Sequence, residues 1–184
     1  MIPLGILASS VRLVEPALPL PTVIGEEFGG GYYIGNIVVA DGGADDGEYA
    51  VIMAGPEGEA PTLLAWKDPR SATPGTDSAT NGMANTLAMQ ANDPAIHYAG
   101  MYCLNYDGGG FEDWYLPSFG ELTLAKENLA LLSGLEMNLT PSRYWSSTQN
   151  SSVAARAQIF GGGTQNANKN TPHNVRPVRR LKRP

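Results

Sequence analysis

Few residues of this sequence could serve catalysis or metal binding. The chain of 184 residues has one cysteine, Cys103, and two histidines, His97 and His173. A lone cysteine rules out an internal disulfide bond and a thiolate-rich zinc site, because both need further sulfur atoms. Neither histidine has metal-ligand spacing or lies beside an obvious nucleophile. We therefore predict no catalytic residue, no metal site and no cofactor, and we interpret both histidines as structural or surface residues.

A cluster of acidic residues in "DGGADDGE" offers carboxylate oxygens of the kind that bind calcium. It contains Asp41, Asp45, Asp46 and Glu48. The cluster does not fit a calcium loop of the EF-hand type, because Gly43 stands where a ligand is needed and Asp46 stands where the glycine is needed. We predict a solvated hairpin turn here instead.

The region 150–174 is built almost entirely from small and polar residues, and its larger residues recur with a regular spacing. Around Phe160 the sequence alternates as a strand does, so one set of side chains faces the core and the other faces solvent. We predict that Phe160 points inwards, and that Ala157, Ile159 and Gly161 point outwards. The alternative is a plain Gly/Asn-rich surface loop.

The larger residues of this region form a frame, and the positions between them show no chemical consistency. The frame consists of Arg156, Gln158, Phe160, Gly163, Gln165 and Lys169. The intervening residues are the predicted ligand-binding positions: Val153, Ala154, Ala157, Ile159, Gly161, Gly162, Thr164, Asn166, Ala167, Asn168, Asn170, Thr171, Pro172, His173 and Asn174.

The elements that must position this region are predicted from local patterns. "GGGYYIGNIVVA" and "GEYAVIMAG" alternate and are rich in β-branched and aromatic residues, which predicts a hairpin. A short helix is predicted from about Ser78, with Met83, Leu87 and either Met89 or Gln90 on one face.

A second, stronger helix is predicted after Ser118, which is a good N-cap with Glu121 three residues later. Its apolar face is expected to end at Gly134 and to contain Leu122, Leu124, Ala125, Leu129 and Leu132. "YWSSTQ", "ARAQIF" and "VRPVRRL" are predicted to be short strands separated by Gly/Asn loops. The sequence therefore predicts an α+β domain of short antiparallel strands and two helices, with its N- and C-terminal strands in one sheet.

Composition limits the domain organisation and the class of partner. At 42% hydrophobic residues the chain can bury one sizeable core but is short for two domains. The net charge of −6, with basic residues concentrated in "VRPVRRLKRP", argues against nucleic-acid binding, which needs a broad positive face. We interpret this basic end as a solvated terminus.

Residues 1–23 form a separate apolar arm in which proline recurs, and residues 24–184 form the domain. Arg12 and Glu15 interrupt the arm and no basic segment precedes it, so it resembles neither a signal peptide nor a membrane span. The arm is expected to be extended and to dock on something. Two alternatives are open: attachment or oligomerisation through the arm, or packing on its own domain.

Five stretches resemble, in order, the domain found at the C-terminus of bacterial collagen-like adhesins and in many phage tail proteins, a branch of the C-type lectin fold. The resemblance runs from about Ile24 to Arg180, and its most specific parts are "DWYLPS" followed by "EL", and "YWSST" followed by "F" and "G". The large apolar residues of these two parts are interpreted as core anchors: Trp114, Tyr115, Leu116, Tyr144 and Trp145.

The alternation of frame residues with chemically inconsistent positions resembles the pattern in the variable proteins of diversity-generating retroelements. In those proteins, adenines of a template are copied unfaithfully into the C-terminal part of a C-type lectin domain. An Asn codon ending in C can change there into fourteen other residue types, but not into Lys, Gln, Glu, Met or Trp. All fifteen predicted binding positions fall inside the permitted set, whereas Gln158, Gln165 and Lys169 fall outside it and belong to the frame.

The resemblance implies a non-enzymatic receptor-binding component of a phage tail tip or tail fibre. Its partners would be a bacterial cell-surface receptor, protein or glycan, and other virion tail proteins through the arm, in a homo-oligomer such as a trimer, without membrane insertion. One alternative is a glycan-binding adhesin on a bacterial surface. The other is an enzyme of the sulfatase-modifying branch, for which the lone Cys103 is poorly suited. The motifs of calcium-dependent sugar binding are missing from the sequence.

Overall fold

The computed structural model describes residues 19–133, 137, 139 and 142–184. The strands within these ranges are β1 (Glu27–Phe28), β2 (Gly31–Val39), β3 (Gly47–Met53), β4 (Arg143–Gln149), β5 (Ala154–Ile159), β6 (Thr164–Asn168) and β7 (Val178–Lys182). The α-helices are α1 (Gly82–Asn92), α2 (Tyr98–Leu104), α3 (Phe119–Glu127) and α4 (Leu129–Leu132). Two short 3₁₀ turns cover Pro56–Gly58 and Gly108–Gly110.

Two antiparallel sheets make up the β-structure of the described residues. One sheet has the strand order β1-β2-β3-β7, and the other has the order β4-β5-β6. The first and last of these strands therefore share a sheet, as the sequence predicted, and the α+β class is confirmed. The prediction of two helices was too low, because α2 and α4 also form in the described part of the chain.

The hairpin of β2 and β3 forms the centre of the larger sheet and confirms the predicted pairing. Its turn contains the acidic cluster, and the Asp46 carboxylate accepts hydrogen bonds from the backbone N–H groups of Asp41, Gly42 and Gly43 at 3.0, 3.1 and 3.3 Å. The turn is exposed apart from its last residues. The acidic residues thus stabilise a solvated hairpin turn, as predicted.

Helix α3 begins where its capping signal predicted. The Ser118 hydroxyl accepts a hydrogen bond from the Glu121 N–H at 3.2 Å, and the Glu121 carboxylate accepts one from the Ser118 N–H at 2.6 Å. The helix ends earlier than predicted, because Asn128 caps it and α4 follows as a separate turn. The Asn128 amide donates to the Ile34 carbonyl at 2.9 Å, which ties this break to β2. The predicted end at Gly134 lies outside the described residues.

Helix α1 is present, but its buried face differs from the predicted one. Asn81 caps it and accepts from the Ala84 N–H at 3.0 Å, so the helix begins at Gly82, four residues after Ser78. The buried side includes Asn85 and Thr86, whereas the predicted face residue Leu87 is 48% exposed. Polar residues are buried here because each has internal hydrogen-bond partners.

The predicted anchors lie in the core. All five are fully buried: Trp114, Tyr115, Leu116, Tyr144 and Trp145. One buried cluster joins the larger sheet to α3, a second surrounds Trp66 and Trp145, and a third surrounds Trp114. No helix in the described part of the chain is both long and apolar enough to span a bilayer.

The basic C-terminal segment is not a solvated tail, so that prediction was wrong. Its residues Val178–Lys182 form β7, which pairs with β3. Arg176 and Arg179 are buried, and Arg180 and Arg183 are half-buried. Arg176 donates to the Glu59 carboxylate at 2.5 Å, and Arg179 donates to both oxygens of Asp113 at 2.7 and 2.9 Å. The sequence pattern failed here because the acidic partners are distant in the chain and are brought close only by the fold.

Candidate ligand-binding surface

Strands β5 and β6 form a hairpin that contains most of the predicted binding positions. The sequence predicted a Gly/Asn loop where β6 lies, because its letters "TQNAN" are polar. Pairing with β5 makes it a strand: Ala154, Ala155 and Arg156 lie opposite Asn168, Ala167 and Asn166, in that order. Residues directly opposite each other share a face of the sheet, so the hairpin has one inner and one outer face.

The inner face is made of alanines that pack into the core. Ala155 and Ala157 have no exposed surface and Ala167 is 8% exposed, and all three belong to the buried cluster of Trp66 and Trp145. The predictions that Ala157 and Ala167 face solvent were therefore wrong. Alternation alone could not reveal this, because both faces of β5 are covered along part of its length.

The outer face consists of Ala154, Arg156, Asn166 and Asn168. Both asparagines are exposed, and Ala154 and Arg156 are half-buried. The Arg156 guanidinium lies 5.0 Å from the centre of the Phe119 ring, which is a cation–π contact with α3 and fits its predicted role in the frame. Within the described residues, the amides of Asn166 and Asn168 make no hydrogen bond to the protein. Both amides are therefore accessible from solvent.

The turn between β5 and β6 forms the far end of the hairpin. The Gly162 N–H donates to the Ile159 carbonyl at 3.2 Å, and Gly161 to Gly163 are exposed. Gly161 has a φ of 79°, a conformation that favours glycine. Its predicted place among freely exchangeable positions therefore conflicts with the backbone, whereas Gly162 and the half-buried Ile159 do not have this restriction.

At the near end, the β4–β5 turn meets the segment that follows β6. The Lys169 N–H donates to the Val153 carbonyl at 3.0 Å, which brings Val153, Asn168 and Asn170 together. Val153 is 43% exposed, and Asn170 and Pro172 are exposed. At this end Val153 thus extends the outer face with an apolar side chain. Asn170 extends it with an amide and Pro172 with a pyrrolidine ring.

Three other predicted positions, His173, Thr171 and Asn174, are buried or half-buried. His173 is 8% exposed, its ring centre lies 4.6 Å from that of Trp145, and its backbone pairs with Leu64. Burial lowers the pKa of His173, so the neutral ring is favoured. His173 is therefore packed inside the domain and does not belong to the exposed part of the surface. Thr171 and Asn174 are half-buried, and the Thr164 side chain lies outside the described residues.

The buried Lys169, which directly follows β6, anchors the end of this strand to Ser71 and Gln149. The Lys169 ammonium donates to the Ser71 carbonyl at 2.8 Å and to the Gln149 side-chain oxygen at 2.5 Å, and it lies 4.5 Å from the centre of the Trp66 ring. Burial, and then repulsion by Lys67, lowers the pKa of Lys169 to about 8. Its place in the predicted frame is therefore explained by internal contacts.

Lys67 lies beside it and was not predicted. Its ammonium donates to the Ala72 carbonyl and the Thr73 hydroxyl, both at 3.1 Å, and burial lowers its pKa. Neither lysine forms an ion pair with a carboxylate of the described residues. No local sequence pattern predicts the burial of Lys67, because its acceptors Ala72 and Thr73 belong to an irregular loop.

The remaining frame residue of β5, Gln158, is buried, and its amide donates to the Ile159 carbonyl at 2.9 Å. Phe160 is also buried, and its ring meets that of Tyr144 edge to face at 5.1 Å between centres. The predictions that Phe160 points inwards and that Gln158 belongs to the framework are confirmed. Side-chain contacts of Gln165 lie outside the description.

The residues considered first for chemistry are packed inside the domain. Cys103 is buried, and burial raises the pKa of its thiol well above the usual value. His97 contacts the Thr73 hydroxyl at 2.9 Å and the Asp93 carbonyl at 2.6 Å, and burial lowers its pKa. Among the described residues no three His, Cys, Asp or Glu side chains lie together as metal ligands would.

Comparison of the whole sequence with models of known protein families found no match, and comparison with curated protein sequences found none either. A function for this surface must therefore be argued from its own geometry and chemistry.

Proposed function

We propose that the chain is a non-enzymatic ligand-binding protein whose binding surface is the outer face of the β5–β6 hairpin and the adjoining turns. The observation that carries the proposal is the contrast between the two faces. The inner face is packed against tryptophans, whereas Asn166 and Asn168 on the outer face are exposed and have no internal partner in the described chain. Such side chains contribute little to stability and remain available for recognition.

The chemistry of this face suits a neutral polar ligand. Asparagine amides donate and accept hydrogen bonds, and the Arg156 guanidinium keeps its hydrogen-bond donors while it stacks on Phe119. Val153 adds an apolar contact at one end. Asparagine, arginine and small residues on a rigid strand pair resemble the composition of adaptable protein-binding surfaces. We therefore propose a bacterial surface protein or glycan as the ligand.

The finer fold in this proposal is the C-type lectin-like one. It is supported by the sharing of one sheet by the first and last described strands, and by the second, small sheet that holds the binding hairpin. Helices α1 and α3 lie between these two groups of strands in the chain. Together with the sequence resemblance, this arrangement favours a tail-tip or tail-fibre component of a phage virion.

Diversification by a retroelement is proposed for the exposed part of the region 150–174 only. The positions that fit are Val153, Ala154, Ile159, Gly162, Asn166, Asn168, Asn170, Thr171, Pro172 and Asn174. A reverse transcriptase gene and a near-copy of this coding stretch that differs only at adenines would be expected in the neighbouring DNA. Finding the coding stretch without such a copy would remove the diversification proposal and leave the binding proposal standing.

The binding surface is tested by replacing its amides and measuring binding of the purified chain to a panel of whole bacterial cells. Asn166→Ala with Asn168→Ala is expected to weaken binding about two- to tenfold for each lost hydrogen bond. Gln90→Ala, which removes an exposed amide from α1, is the matched control and is expected to bind like the wild type. Equal binding by all variants to every strain that binds the wild type would refute the assignment of this face.

The virion context is tested separately by imaging purified phage particles with an antibody to this chain. Label at the tail tip or fibres supports a receptor-binding component. Particles without label, from a phage whose genome encodes the chain, would refute the tail location. The sulfatase-modifying alternative has less support, because the buried Cys103 thiol has a raised pKa, and such chemistry needs an accessible thiolate.

A further inference from the structure

The larger sheet has a second face, opposite α3, that carries an apolar groove. On this face Ala50 and Ile52 of β3 are buried with Trp114, and Leu181 of β7 lies directly opposite Ala50. The groove beside them has the half-buried side chains of Leu20, Phe28, Phe111 and Leu181 as its apolar walls. Arg179, Gly29 and the exposed Glu27 complete its lining.

Arg179 is held within the groove by contacts to other residues of the domain. Its guanidinium lies 3.7 Å from the centre of the Phe111 ring, forms two hydrogen bonds to Asp113, and donates to the Gly29 carbonyl at 3.0 Å. Because Asp113 neutralises the charge of the Arg179 guanidinium, the groove does not favour an anionic ligand. An apolar segment fits its walls better than a charged one.

The chain itself enters the structure at this groove. Leu20 is one of its walls, and Pro19 and Leu20 also line an adjoining groove with Leu181 and Arg183. Pro21 is buried, and its carbonyl accepts a hydrogen bond from the Arg183 guanidinium at 2.7 Å. Residues 19–21 are therefore held on the sheet, and the residues that precede them start at the mouth of the groove.

Residues 1–18, which lie outside the described residues, have the composition of a segment that fills such a groove. They contain eight large aliphatic residues: Ile2, Leu4, Ile6, Leu7, Val11, Leu13, Val14 and Leu18. Their only charged side chains are Arg12 and Glu15. Exposure of so much apolar surface to water is unfavourable, which favours burial of this segment on an apolar surface.

We propose that residues 1–18 bind along this groove of their own domain, and so cover the second face of the larger sheet. The proposal selects packing on the same domain over attachment to another molecule. It does not depend on the ligand-binding role of the β5–β6 hairpin, which lies on the other sheet.

Limited trypsin digestion of the full-length chain tests the proposal, because Arg12 is the one tryptic site within residues 1–18. The rate of cleavage after Arg12 is followed by mass spectrometry. In the wild type the bond is expected to be protected. Leu181→Asp, which places a charge on the groove wall, and Leu18→Asp, which changes the segment alone, are each expected to speed cleavage at least about tenfold.

Leu131→Asp is the control, because Leu131 is an equally apolar residue that is 62% exposed on α4, outside the groove. It is expected to be cleaved at the wild-type rate. Circular dichroism checks that each variant is folded, and should Leu181→Asp unfold, Leu18→Asp decides the question.

Equal cleavage rates in all four proteins would overturn the proposal. Protection that disappears on dilution, together with a change from oligomer to monomer, would also overturn it, since the segment would then be held by a second copy of the chain.

Discussion

Replacing Ala157 with leucine places a larger, branched side chain on the inner face of the β5–β6 hairpin, where Ala157 has no surface exposed to solvent. Ala157 lies opposite Trp145 in the strand register, and both are fully buried in the same cluster as Trp66. Extra methyl and methylene groups in a packed core cost about 1–3 kcal/mol. Asn166→Leu adds a side chain of the same shape to the outer face, where surface substitutions usually change stability by less than about 0.5 kcal/mol.

The expected difference is measurable as a change in the midpoint of thermal unfolding. For a chain of this size 1 kcal/mol corresponds to about 2–4 °C. Ala157→Leu is therefore expected to lower the midpoint by about 2–12 °C, and Asn166→Leu by no more than about 2 °C. Differential scanning calorimetry of the two variants and the wild type, in one buffer, gives both values.

The pair of variants separates packing from recognition when binding to cells is measured on the same samples. Asn166→Leu is expected to weaken binding about two- to tenfold while keeping stability, and Ala157→Leu is expected to lose stability while keeping binding at temperatures where it is folded. Equal midpoints for the two variants would refute the two-faced description of the hairpin. It would show that Ala157 is accessible in solution, as its place in the sequence pattern first indicated.

Phe160→Ala is expected to lower the free energy of unfolding in urea by about 3–5 kcal/mol, because it leaves a cavity beside Tyr144. Arg176→Met leaves the Glu59 carboxylate without its ion pair, and a loss of about 3 kcal/mol is expected in guanidinium unfolding; Glu59→Gln added to it is expected to recover part. His97 and His173 both have lowered pKa values in the fold, so stability, complete above about pH 6.5, is expected to fall as the pH drops below it in melting curves.

Elements with local signals were predicted well. The capping pair of Ser118 and Glu121 lies within four consecutive residues, and the strands of the β2–β3 hairpin alternate without interruption, so both were readable from short windows. The anchors around Trp114 and Trp145 were identified by size and apolarity, which require burial almost anywhere in a domain.

The errors concern contacts between distant parts of the chain. Strand β6 pairs with β5, and Ala157 is buried in a cluster that contains Trp66 from much earlier in the sequence. Arg176 looked solvated because its partner Glu59 is 117 residues away. A pattern within ten residues contains none of this information, so the outer face could be placed in the right region but not on the right residues.

The two buried lysines give this acidic protein an unusual response to alkali. Its isoelectric point is about 4.8, yet Lys67 and Lys169 are buried as ammonium groups without a carboxylate of the described chain beside them, and both pKa values are lowered. At these two lysines the unfolded chain therefore binds more protons than the folded one from about pH 8 to 10.5, so their deprotonation favours the fold as the pH rises through that interval. The raised pKa values of buried Cys103 and Tyr115 act in the opposite direction above about pH 9, because unfolding then releases their protons. The stabilisation that the lysines gain on losing their protons thus begins several pH units above the pH of zero net charge and is opposed by the buried thiol and phenol in stronger alkali.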